Sequence, residues 1–154
     1  MPPRPEVVEF SRDSPAAVVA HMVEMSGGRN GWINLEPEVH EEDDAPESGG
    51  LFGFLSSQGP PVPLCTWSPS DRRVSIGVQH PAGPRAAGRL AELGHPVPAG
   101  WYVSQDHPRR GLVVEVPADE PPERVLDWLL AAGELLSRVP VTGRWHAAVF
   151  VTGR

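Results

Sequence analysis

A chain of 154 residues is the size of one domain, long enough to bury roughly two thirds of the surface its unfolded form exposes. With 20 acids against 13 bases and a net charge of -7, it lacks the cationic surface that phosphate backbones demand. No window approaches the roughly 18 apolar residues of a membrane span, the Met1-Pro2-Pro3-Arg4-Pro5 start lacks the apolar stretch of a signal peptide, and the lone Cys65 forbids an internal disulfide.

These bounds predict a cytoplasmic protein with no nucleic-acid or membrane partner. All 13 bases are arginine, a GC-rich, bacterial-type coding habit before it is a mechanism. The charge is also local. Glu36, Glu38, Glu41, Glu42, Asp43, Asp44 and Glu47 put seven acids and no base between 36 and 50, and setting them aside leaves 13 acids against 13 arginines. That stretch reads as a solvated acidic loop.

Residues 1–13, rich in proline and charge, read as a flexible N-terminal arm ahead of a single domain over 14–154. Ser14-Pro15 then opens a helix, serine as cap and proline where no amide is needed. Val18, Val19, Met22 and Met25 fall on one side of it and Gly27-Gly28 stop it; the stripe is core-facing, although a methionine pair could also serve as an adaptable partner surface. Gly31–Leu35 predicts a short strand. His40-Glu41 shares only its first two residues with the H-E-x-x-H zinc motif, whose second histidine is Asp44 here, so no metal site is predicted.

Leu51–Ser56, Val62–Trp67 and Arg73–Gln79 carry strand character and are joined by connections short enough to force an antiparallel meander. Pro63 makes its strand an edge or irregular at that end. Cys65, mid-strand, reads as a small buried hydrophobe. Pro84–Leu93 predicts a helix ended by Gly94; its first amides, with Arg85 alongside, are an anion-binding candidate.

A hairpin follows, Trp101–Gln105 and Leu112–Val116, turning through His107-Pro108-Arg109-Arg110-Gly111. Asp106, His107, Arg109 and Arg110 at that turn could grip an anionic partner, with Arg109 and Arg110 as the anion-binding candidates. The last helix carries Val125, Trp128, Leu129, Ala132, Leu135, Leu136 and Val139 at helical spacing, and residues 144–151 close the chain as a strand.

The fold class is therefore α+β: a single domain with a mainly antiparallel sheet of five to six strands and three helices, in the order α-β-β-β-β-α-β-β-α-β. From Arg73 onward the order β-α-β-β-α-β resembles a ferredoxin-like split βαβ unit. The layout of helix, three-stranded meander, helix, hairpin and helix also resembles the type III secretion chaperone-like fold, which would imply dimerisation and binding of other proteins.

Specific activities can be tested against motifs. The RNA-recognition module needs stacking aromatics on its third strand, and here Arg110-Gly111 leads into Leu112, Val113, Val114 and Glu115. G-x-S-x-G is absent, so serine hydrolase chemistry has no support, and one cysteine excludes Cys-rich zinc sites. What remains is a polar sheet face. If Val74, Ile76, Val78, Val103, Leu112, Val114, Val116, Trp145, Ala147 and Val149 meet the helices, period 2 sends Ser75, Gly77, Gln79, Tyr102, Ser104, Glu115, His146 and Phe150 to the other side. Gln79, Tyr102, Ser104, Glu115 and His146 are the ligand-binding candidates.

The sequence thus favours a non-catalytic protein-interaction or assembly module, a homodimer or a binder of another protein, with no cofactor. The alternative is a small-molecule-binding protein or enzyme using the Gln79, Tyr102, Glu115 and His146 face.

Overall fold

The computed structural model describes residues 4–28, 30–40 and 59–152. Ten elements follow in order: β1 (Glu6–Ser11), α1 (Ala16–Gly28), β2 (Trp32–Val39), β3 (Leu64–Pro69), β4 (Arg73–Gln79), α2 (Ala86–Glu92), β5 (Tyr102–His107), β6 (Gly111–Pro117), α3 (Pro122–Leu136) and β7 (Val141–Phe150). The fold is α+β, with three helices among the described residues and one seven-stranded sheet in the order β1-β7-β2-β3-β4-β6-β5. Every pairing is antiparallel.

Seven strands replace the expected five to six, and the chain begins on a strand instead of a helix. The expected arm contains β1, which pairs with β7 from Glu6↔Val149 to Ser11↔Arg144. Two apolar residues anchor it: Val8 lies against the core and Phe10 is buried within it. Arg12, just beyond, ties this edge to α3 through Glu134 (3.0 Å) and Asp127 (3.4 Å). The acidic stretch is also partly strand, since Glu36 and Glu38 lie on β2. Its acids from 41 to 47, and the strand expected at Leu51–Ser56, lie outside the described residues.

Sheet order explains how the expected ferredoxin-like unit is altered. The last four strands run β7…β4-β6-β5, but β2 and β3 lie between β7 and β4. Two split βαβ units result, since β7 separates β1 from β2 and β6 separates β4 from β5. The helix α3 links the two inserted strands.

All helices sit on one face, where period 2 places the core. Ile33, Leu35, Cys65, Trp67, Ile76, Val78, Leu112, Val114, Val116, Trp145 and Ala147 are buried there. Against them lie Val18, Val19, Met22 and Met25 of α1 and Val125, Leu126, Trp128, Leu129, Leu130, Ala132 and Leu136 of α3. The methionine pair is therefore core. Helix α3 continues a run of apolar residues at i, i+3, i+4 and i+7, the pattern that gives a helix one buried stripe, while Glu123, Arg124 and Asp127 on its other side are exposed.

The β5–β6 hairpin depends on Gly111. Its φ of +94° is one that residues with a Cβ rarely adopt, and a Cβ there would lie 2.5 Å from the Val78 carbonyl oxygen of β4. The His107 ring organises the same turn: Nδ1 accepts from the amides of Arg109 (3.0 Å) and Arg110 (3.1 Å).

Candidate functional site

Burial follows the expected division of faces. Val74, Ile76, Val78, Leu112, Val114, Val116, Trp145, Ala147 and Val149 are buried against the helices, and Ser75, Gly77, Gln79, Tyr102, Ser104, Glu115, His146 and Phe150 are at least partly accessible on the other side. The candidate residues share that face but do not form one constellation.

Glu115 of β6 is the organised centre. Its Oε2 accepts from Ser75 Oγ at 3.0 Å and from Ser104 Oγ at 3.3 Å. Tyr102 stands directly opposite it on β5, and its side chain is 60% exposed. Gln79 lies four residue pairs further along β4 than Ser75, facing Leu64 of β3. His146 is elsewhere. On β7 it pairs with Glu9 of β1 and Glu36 of β2, with β2, β3 and β4 between its strand and β6. Four strand spacings of about 4.8 Å put its strand roughly 19 Å from that of Glu115, beyond any direct proton transfer. Its nearest acid is Glu9, at 3.6 Å from Nδ1. Alternation shows which face a residue occupies, but strand order decides whether two residues meet.

Strand β5 breaks phase. A bulge between Val103 and Gln105 leaves Ser104 as the extra residue, so Gln105 moves to the open face and Asp106 turns toward the helices. The consequence falls on α2. Asp106 Oδ1 accepts from the Ala86 amide at 2.9 Å and Oδ2 from the Ala87 amide at 3.0 Å. The helix start proposed as an anion site therefore already holds a carboxylate of the chain, and Arg85 beside it is exposed in the left-handed region at φ 63°. Arg109 and Arg110 remain at the exposed hairpin turn.

Other groups are structural. Cys65 is fully buried, and burial with Glu134 nearby pushes its thiol far above the ordinary range, the reverse of what a nucleophile needs. His80 is also fully buried. Its Nδ1 accepts from the Ala82 amide at 3.1 Å, which leaves the proton of the neutral ring on Nε2, an atom with no partner among the described residues. Burial lowers its pKa, and Asp106 opposes that shift. Sequence reasoning placed Asp106 only in the hairpin turn and passed over His80, because the helix contact of the first needs the bulge and the burial of the second needs the end of β4 to be covered.

The open face has gentle relief. A hollow of about 200 Å³ lies over Gly77, lined by Leu64, Thr66, Ser75, Gln79, Arg110 and Val113 among others. A second, of about 380 Å³, lies at the Pro117 end of β6 and is bordered by Arg72, Arg73, Glu115 and Asp119. Among the described residues no three His, Cys, Asp or Glu side chains converge as metal ligands, and no helix is long and apolar enough to cross a membrane. No family model matches the chain, and comparisons with curated proteins and with solved structures find no match either.

Proposed function

We propose that this chain is a non-catalytic protein-interaction or assembly module that offers the helix-free face of its sheet to another polypeptide. One observation carries the reading. The middle row of that face, Val7, Ala148, Asn34, Thr66, Gly77, Val113 and Gln105, crosses all seven strands without a charge, while Glu9, Glu36, Arg144, Arg73 and Arg110 lie toward the margins. A neutral centre within a charged rim is the composition of a protein interface.

Element order lends support. From α1 to α3 the described residues run helix, three antiparallel strands β2-β3-β4, helix, hairpin and helix, an order like that of the type III secretion chaperone-like fold, with β2 in the place for which the sequence suggests Leu51–Ser56, a segment outside the described residues. Strands β1 and β7 extend the sheet beyond it.

The test is photocrosslinking in the producing cell, with p-benzoylphenylalanine at Thr66 in the middle row or, as a control, at Asp127 on the solvent side of α3. Covalent adducts to a second polypeptide from Thr66 and none from Asp127 are expected. Adducts from neither position, or from Asp127 alone, would remove the proposal.

A further inference from the structure

We infer that the occupant of this face is a second copy of the chain, docked face to face about a twofold axis running along β3; the inference rests on the interaction reading above. Strand β3 is central, with β1, β7 and β2 on one side and β4, β6 and β5 on the other. A twofold along it lays β2 over β4 of the second copy, β7 over β6 and β1 over β5. Each half of the face must then complement the other half.

The registers show that it does. In one row stand Glu9, His146 and Glu36 on the first half. At the same level on the second half lie Gln79, Gly111 and His107, with Arg110 in the turn beside them. The twofold therefore sets Glu36 over Gln79, which Arg110 adjoins, and Glu9, already in contact with Arg144 (3.8 Å) and His146 (3.6 Å) of its own half, over His107, twice. Opposite charges at such positions steer the encounter and fix its register.

The row on the far side of the middle carries aromatics on the first half. Trp32 and Phe150 stack with ring centroids 4.8 Å apart and planes at 11°, and the twofold sets this pair over the row of Ser75, Glu115 and Tyr102. Glu115 keeps the two serine hydroxyls on Oε2 under that cover but gains no cation, so this part of the contact opposes association and the charged row must outweigh it. Between these rows Asn34 comes over the hollow at Gly77, and Thr66 meets its own copy on the axis.

Area is sufficient. Six strand spacings of about 4.8 Å and roughly 20 Å of strand length give about 600 Å² in projection. Counted on both partners, that is about 1,200 Å², the lower limit of specific interfaces.

The experiment is sedimentation velocity with light scattering on the full chain over a dilution series. A dimer is expected. Arg110→Glu and Glu36→Arg should each weaken it by about tenfold or more, and the double variant should recover most of the loss, because each pair then has its signs exchanged. Both side chains are exposed, and unchanged thermal melts confirm that the variants fold. Thr66→Arg, which sets two like charges on the axis, should give a monomer. A chain that is monomeric at every concentration, or a dimer indifferent to all of these substitutions, overturns the inference. A monomer that still crosslinks from Thr66 to a different polypeptide overturns it too, while leaving the interaction reading in place.

Discussion

Removing the Asp106 carboxylate should detach the start of α2 from the sheet. At seven residues α2 is too short to persist without tertiary support, and that support comes from Leu90 and Ala86 in the core and from Asp106, whose two oxygens take the amides of Ala86 and Ala87 at 2.9 and 3.0 Å. Loss of a helix cap costs about 0.5–2 kcal/mol, and hydrogen bonds to a charged acceptor lie at the upper end of the usual range. Water replaces part of the interaction at this half-buried site. Asp106→Ala should therefore cost about 2 kcal/mol, a fall of roughly 4–8 °C in Tm for a domain of this size, and Asp106→Asn, which keeps one acceptor, about half as much. Urea denaturation measures the loss, and hydrogen exchange locates it: the amides of Ala86 and Ala87 should exchange faster while those in the middle of α3 do not. A change below about 0.5 kcal/mol with both amides still protected would show that Asp106 does not hold the helix.

Three further outcomes follow from buried geometry. The lowered His80 pKa means that the unfolded chain takes up the proton first, so stability is flat above about pH 6.5 and declines as pH falls through that value toward the folded-state pKa; urea melts at neutral and mildly acidic pH should show the decline in the native chain and little of it in His80→Asn. A Cβ on Gly133 would lie 2.9 Å from Cys65 Sγ and 3.0 Å from the Trp145 ring, so Gly133→Ala should cost about 1–3 kcal/mol of overpacking. Adding Cys65→Ala should recover part of that cost, and a strictly additive double mutant would contradict the contact. At Gly111, alanine meets both the positive φ and the Val78 carbonyl 2.5 Å away; the expected loss is about 2 kcal/mol or more, concentrated in the exchange of the β5 and β6 amides, and a near-neutral result would count against the close approach of the hairpin to β4.

How far the sequence carries depends on the range of the interaction that decides each feature. Periodicity is local, so the faces of β4, β6 and β7 and the buried stripes of α1 and α3 were readable before any coordinates. Edge strand β1 was not, because only Val8 and Phe10 face inward among prolines and charges, and the pairing that stabilises it comes from β7, more than 130 residues away in the chain. The bulge in β5 was equally hidden: nothing in Val103-Ser104-Gln105 marks which residue is extra, yet that one residue turns Asp106 to the helix and closes the expected anion site. Strand order is the least local of all. His146 and Glu115 were assigned to the correct face, and the insertion of β2 and β3 between β7 and β4 then separates them by four strands. The same insertion puts β3 at the centre, and it leaves Glu9, Glu36, Arg144 and the Trp32–Phe150 pair on one half of the open face and Arg73, Arg110 and Glu115 on the other. The self-association proposed above requires the same long-range order that separates Glu115 from His146, so the strand order that removes that pair as a small-molecule site is also the premise of the proposed face-to-face contact.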